Sequence, residues 1–265
     1  MSQVAIIGAG VMGETLLSGL LRAGRRPTDI VIAERRPERA AELTERYGVE
    51  VLDNAAATAA ADTVVLVVKP QDMAGVLAEI EEHVRPHALV ISLAAGIPTA
   101  FLEQRLPTDT AVVRVMPNTP ALVDEGMAAI SPGSSCDEKH LDEAESLMSS
   151  VGQVIRVPEK QQDAVTAISG SGPAYLFFVV ESMIEAGVHL GLPRTTATQL
   201  AVQTAFGSAK LLRETGQHPT VLREQVTSPG GTTAAALRKL EAHSVRAAFL
   251  AALEAARDRS EELGS

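Results

Sequence analysis

Residues 3–13 constrain the fold more than any other part of this chain. "QVAIIG" (3–8) is a short apolar run closed by a glycine, and "GAGVMG" (8–13) follows without a gap. An apolar pattern of helical period then runs from Met12 to Ala23, ending at Gly24. A buried strand, a glycine turn and a helix in that order form one unit of a parallel sheet. The same alternation continues. "DIVIAE" (29–34), "VEVL" (49–52), "TVVLVVK" (63–69), "ALVISLAAG" (88–96) and "TAVVRVMP" (110–117) read as strands. Pro37 opens a charged helix that runs to Tyr47 and stops at Gly48, and "QDMAGVLAEIEEHV" is a further helix. "TVVLVVK" is apolar on both faces, as a central parallel strand must be. "GMAAIS" and "GQVIRVP" are expected as shorter edge strands around an acidic helix over 137–150. The predicted class is α/β, with a doubly wound, mainly parallel sheet.

Strand signals stop near Gln161. Helices are expected over 172–190, 195–214, 221–225, 232–242 and 245–263, which divides the chain into residues 1–160 and an all-helical segment, 161–265. "PAYLFFVVESMIEAGVHLG" is apolar on nearly every side. A small helical domain cannot hide that surface alone, so a homodimer with intertwined helices is expected. The composition narrows the partners further. With 23 Lys and Arg against 33 Asp and Glu, the formal net charge of −10 disfavours nucleic acid, whose phosphates need clustered cations. The longest uninterrupted apolar run, "GPAYLFFVV", meets Glu181, short of the ~20 residues that cross a bilayer. A soluble, cytoplasmic protein without a membrane partner is expected. Cys136 is the one cysteine, and Pro86 separates His83 from His87, so no metal site is expected.

The candidate chemistry begins at the glycine loop. Gly8 permits the tight turn, Gly10 lets backbone approach a pyrophosphate, and Gly13 lets helix and strand pack closely. The helix start at Val11 and Met12 presents unpaired N–H groups and a partial positive charge to the phosphates. The residue closing the second strand faces the adenosine ribose. There an acid favours the 2′-hydroxyl of NAD and an arginine the 2′-phosphate of NADP. This chain offers Glu34, then Arg35 and Arg36, and the expected cofactor is NADPH held by Arg35, with NADH as the alternative. Ligands of doubly wound sheets lie at strand carboxyl ends. Lys69 and Pro70 stand at one such end, where Lys69 either touches the cofactor or caps the sheet. Ala94, Ala95 and Gly96 stand at the next. "MPNTP" (116–120), with Met116 and Asn118, is either a wall of the nicotinamide site or an ordinary rigid loop. "SGSGP" (169–173) reads as a helix start, not a second nucleotide site.

Three later stretches carry a family resemblance. "VRVMPNTPALVDEG", "AISGSGPAYLFFVVESM" and "LREQVTSPGGTTAAALRKLE" closely resemble those of the pyrroline-5-carboxylate reductase family, and the likeness runs from residue 3 to about 263. It implies an N-terminal Rossmann domain, a C-terminal all-α dimerisation domain, interlocked dimers and, in several members, a decamer of five dimers. It implies cofactor contacts at the "GAGVMG" loop, at Asn54, at Val68, Lys69 and Pro70, and at Ala94 to Gly96. It puts a cyclic imine carboxylate between the nicotinamide and residues 227–233. Relatives often read Asn-Arg-Ser after the second strand. The arginine matches here and Glu34 departs.

The implied reaction needs an anion socket and a hydrogen bond at the ring nitrogen, but no strong acid, because a protonated imine is already electrophilic. "SPGGTT" can meet both needs. Ser228 offers a hydroxyl, Gly230 and Gly231 leave backbone accessible, and the N–H groups of Gly231 and Thr232 start a helix whose dipole favours an anion. The hydroxyl of Thr233, which the family likeness assigns to the ring nitrogen, serves as orienter and proton relay. The plain alternative makes Thr232 a helix N-cap and the glycines a bend. Two rival functions remain. A β-hydroxyacid dehydrogenase would need a base, for which Lys210 is the candidate. A non-enzymatic NADP-binding regulator would need no Gly-Gly-Thr socket.

Overall fold

The computed structural model describes residues 2–264. Strand β1 (Val4–Ile7) leads into helix α1 (Val11–Arg22), and β2 (Ile30–Ala33) into α2 (Pro37–Tyr47). Gly48, at φ 68°, closes α2 in the left-handed conformation that favours glycine. β3 (Glu50–Leu52), α3 (Asn54–Ala60), β4 (Thr63–Leu66), α4 (Met73–Ile80), β5 (Leu89–Ser92), α5 (Thr99–Glu103), β6 (Ala111–Met116), β7 (Gly126–Pro132), α6 (Glu138–Met148) and β8 (Gly152–Arg156) complete an eight-stranded sheet. Its order is β3-β2-β1-β4-β5-β6-β7-β8. Every residue of β1, β2, β4 and β5 is buried. The faces alternate as the pleat requires: Val4, Ile6, Ile30 and Ile32 join one core with α1, while Ala5, Ile7, Val31 and Ala33 join another with α4.

Several details depart from the expectations. β7 is an interior strand, not an edge, and it runs antiparallel to β6 before pairing parallel with β8. Only residues 117–125 connect β6 to β7, too few for a parallel crossover. β4 ends at Leu66 instead of Lys69, after which the Val67 N–H still donates to Ile7 O (2.8 Å) before the chain turns away at Pro70. Helix α3 was not foreseen. The Asp53 carboxylate accepts from Ala56 N (2.7 Å) and so caps an alanine run that reads locally as loop.

The chain divides into two compact units. The first runs to Ser171 and takes back the chain from Ala256 onward, and the second is Gly172–Ala255. The first unit ends with helix α7 (Gln162–Val165) and a π-helical turn, Thr166–Gly170. Its returning segment is held by Ser260, whose hydroxyl donates to Asp163 Oδ1 at 2.7 Å. Asp163 and Glu159 together balance the buried Arg114 of β6, at 3.8 and 3.4 Å. Glu159 is itself held by Thr99 through N–H and hydroxyl, both at 2.7 Å. A buried cation needs such full pairing to be tolerated.

The second unit holds α8 (Gly172–His189), α9 (Arg194–Thr215), α10 (Pro219–Gln225), α11 (Thr232–Ala242) and most of α12 (Val245–Leu263). Ala197 and Ala201 are its only buried apolar residues. Phe177 and Phe178 are each 69% exposed, and Leu190 is 81% exposed. By length and composition the helical run Glu159–His189 could cross a membrane, a longer apolar stretch than the uninterrupted run counted in the sequence. So much uncovered apolar surface marks an interaction face.

Candidate functional site

Strand order reverses between β1 and β4, which is where ligands of doubly wound sheets bind. The loop after β1 stands at that switch point. Gly8 has φ 98°, and a Cβ there would lie 2.5 Å from Val67 O. A Cβ on Gly13 would fall inside contact distance of Gly8 O, which is backbone and cannot swing aside. These two glycines therefore build the loop. Gly10 differs, since a Cβ there would meet nothing within 4 Å, so it borders open space. It is also the N-cap of α1 and supplies no side-chain cap. The first N–H groups of α1, at Val11, Met12 and Gly13, thus have no side-chain partner at their start. Gly13→Ala is expected to weaken dinucleotide binding about 5- to 150-fold through about 1–3 kcal/mol of overpacking. Fluorescence titration with NADPH checks this, and wild-type affinity in the variant would contradict the packing role.

The end of β2 faces a cavity of about 590 Å³ lined by Glu34, Arg35, Asp53, Asn54 and Glu79 among others. Both arginines there are already engaged. Arg36 donates from Nε (3.0 Å) and Nη2 (3.1 Å) to the Glu34 carboxylate, which also accepts the Arg36 N–H at 2.9 Å. Those Arg36 hydrogen bonds hold the Glu34 carboxyl below the usual carboxylate range despite its burial. Arg35 Nη2 donates to Glu79 Oε1 at 2.6 Å, and Asn54 Nδ2 donates to Glu79 Oε2 at 2.5 Å. Glu79 was missed in the sequence because it sits in the last turn of α4, far along the chain from Arg35, with no local motif to single it out.

The other strand ends are more mixed. Lys69 and Pro70 are exposed, Val68 is half-buried against Gly8, and Lys69 forms no ion pair among the described residues. Ala94 is buried and Ala95 half-buried. Gly96, at φ 76°, lies against Leu263, so its conformation and packing call for glycine independently of any ligand. Asn118 spends its amide on structure: Nδ2 donates to Ser169 O and Oγ at 3.2 Å each, and Oδ1 accepts from Met127 N at 2.8 Å. Met116 packs against Gly170, where a Cβ would strike its methyl group.

In the second unit, residues 226–231 turn into α11. Gly230 has φ 70° and a Cβ there would meet nothing within 4 Å. The N-cap of α11 is Gly231, with no side-chain cap, and Thr232 is already the first helical residue. This corrects the plain alternative that made Thr232 the cap. The hydroxyls of Ser228, Thr232 and Thr233 make no hydrogen bond among the described residues, so the loop carries three uncommitted hydroxyls beside an uncapped helix start. Lys210 forms an exposed i,i+4 pair with Glu214 at 3.6 Å, an ordinary solvated arrangement.

Comparison with known proteins extends this picture. Residues 159–263 match the family described as pyrroline-5-carboxylate reductase dimerisation, and residues 3–96 match NADP oxidoreductase, coenzyme F420-dependent. The chain is 48% identical to the pyrroline-5-carboxylate reductase of Corynebacterium melassecola, covering 100% of this chain and 99% of that one. A solved pyrroline-5-carboxylate reductase from Coxiella burnetii superposes with a TM-score of 0.95 at 39% identity, covering 100% and 99% of the two chains. The Plasmodium falciparum pyrroline carboxylate reductase, solved with NADP bound, gives 0.89 at 30% identity, covering 100% and 98%. The dimerisation match spans the helices whose apolar faces are uncovered in the single chain, and it supports formation of an oligomer.

Proposed function

The chain belongs to the pyrroline-5-carboxylate reductase family, and from that premise we propose that it reduces the C=N bond of 1-pyrroline-5-carboxylate to give L-proline. One observation carries the reading to this chain's own residues: Gly231 is the N-cap of α11 and brings no side-chain cap, and beside it lie Gly230 and the hydroxyls of Ser228, Thr232 and Thr233, which make no hydrogen bond among the described residues. A small carboxylate fits such a helix start, where N–H groups and dipole favour negative charge.

The residues suit a nicotinamide dinucleotide. Gly10 borders open space at an uncapped helix start, as a pyrophosphate cradle requires. In this reading Gly8, Gly10, Val11, Met12 and Gly13 hold the phosphates. Asn54 and Arg35 serve the adenosine end. Val68, Lys69, Pro70 and Ala94 to Gly96 line the crevice, and Met116 and Asn118 shape its far wall. When bound, the nicotinamide supplies the hydride. The finer assignment is NADPH, with Arg35 leaving Glu79 to meet the 2′-phosphate. Residues 1–160 then serve the cofactor, and 161–265 serve the substrate and a homodimer, with a decamer of five dimers as the higher assembly, in the cytoplasm.

The rest of the chemistry is positioning. Ser228 and the backbone of Gly230, Gly231 and Thr232 hold the carboxylate, which orients the ring. The Thr233 hydroxyl accepts a hydrogen bond from the N–H of the protonated imine. Once hydride transfer has made the ring nitrogen a neutral amine, the hydroxyl donates to its lone pair and relays to it a proton drawn from solvent. The Thr233 alcohol is too weak an acid to protonate the imine unaided. Holding the reacting groups in line lowers the barrier without any strong acid.

The test is NADPH oxidation by folded, oligomeric protein supplied with pyrroline-5-carboxylate. No consumption would sink the proposal. Thr233→Ala should lower kcat/KM about 3–10-fold, the worth of one neutral hydrogen bond, with cofactor affinity unchanged. The β-hydroxyacid dehydrogenase alternative is disfavoured by the exposed Lys210–Glu214 pair. It would require Lys210→Ala to abolish turnover and Thr233→Ala to leave it intact.

A further inference from the structure

We infer that Glu79 of α4 is a specificity-determining residue that works against the 2′-phosphate of NADPH. The inference rests on the dinucleotide reading of the crevice and extends it to a residue outside the glycine motif. Glu79 holds the two side chains expected to meet the adenosine ribose. Its Oε1 accepts from Arg35 at 2.6 Å and its Oε2 from Asn54 at 2.5 Å. The second arginine gives no relief, because Arg36 is committed to Glu34, whose side chain is only 8% exposed. With Glu34 paired to Arg36, the cavity lining leaves the carboxylates of Asp53 and Glu79 against the single lining cation Arg35.

A dianionic phosphate entering this cavity must take Arg35 from Glu79. The exchange of partners is cheap, since the Arg35 and Glu79 side chains are 68% and 48% exposed and such pairs contribute little. The charge left behind is the larger effect. Once Arg35 turns to the phosphate, the Glu79 carboxylate stands beside a like-charged group without its own cation. A ribose 2′-hydroxyl brings no charge and leaves the Arg35–Glu79–Asn54 arrangement intact. Glu79 thus penalises NADPH and leaves NADH untouched, and Arg35 must overcome that penalty before any NADPH preference can appear.

Glu79→Gln separates charge from shape, because the amide oxygen can still accept from Asn54. Dissociation constants for NADPH and NADH are measured by fluorescence titration on the full-length wild type and variant, at low and high salt. The expected result is a shift of the NADPH-to-NADH affinity ratio toward NADPH by about tenfold at low salt, shrinking as salt screens the partly exposed site. NADH affinity within about twofold of wild type serves as the folding control. An unchanged ratio with both nucleotides bound would overturn the inference. So would a selective loss of NADPH, which would make Glu79 a support that aims Arg35 at the phosphate. Failure of both proteins to bind either nucleotide would bring down the dinucleotide reading itself, and this inference with it.

Discussion

Gly231→Val should raise KM for the cyclic imine by about two to four orders of magnitude while NADPH affinity stays within about twofold of wild type, the loss expected from two charge-assisted hydrogen bonds worth about 1.5–3 kcal/mol each. The reason is local. A Cβ on Gly231 would run into the Ser228 hydroxyl and approach Ser228 O at 3.1 Å. The hydroxyl can rotate away, so the chain still folds. The branched side chain then occupies the space in front of the helix start, between the carboxylate and the N–H groups proposed to hold it. The glycine loop after β1 is distant in sequence and belongs to the other compact unit, so cofactor binding gives an independent reading. Steady-state kinetics with a separate cofactor titration checks the outcome. Equal losses in both measurements would show that Gly231 supports the fold and not the substrate.

Replacing Phe177 and Phe178 together by glutamate should dissociate the oligomer and lower Tm by at least about 10 °C. Each ring is 69% exposed in the single chain, and Ala197 and Ala201 are the only buried apolar residues of the second unit. That unit has almost no core of its own, so its stability must come from apolar surface covered on assembly. Burying a phenylalanine contributes about 1.5–3 kcal/mol, and a carboxylate in its place also costs desolvation. The match to a dimerisation family over residues 159–263 supports the formation of an oligomer. Light scattering and thermal melts read the result. A variant that keeps both its mass and its midpoint would show that these rings face solvent in the assembly.

The local grammar of the fold was legible because it is written in short stretches. Buried strands in all-parallel pairing leave continuous apolar runs, and β1, β2, β4 and β5 lie within a few residues of the expected positions. Helix α2 was bounded by Pro37 and Gly48, and α11 and α12 began and ended where their periodicity did. What was not legible depended on partners far along the chain. The direction of β7 came from the short connection behind β6 and from its pairing with β8. Asn118, expected as either a wall of the nicotinamide site or part of an ordinary rigid loop, commits its amide to Ser169 and Met127, partners that no local stretch could name.

The candidate site divides in the same way. The sequence by itself determined the glycine loop after the first strand, the paired arginines after the second, and the Gly-Gly-Thr-Thr helix start, because each lies within a few consecutive residues. The tertiary structure decided what those residues are free to do. It assigned Gly8 and Gly13 to packing and left Gly10 facing open space. It made Gly231 the bare cap of α11 and removed Thr232 from that role. It brought Glu79 from α4 onto Arg35 and Asn54. Spacing along a chain reports which backbone shapes are available, but a charge or a hydrogen-bond donor is committed only by the groups that folding places within about 3 Å of it.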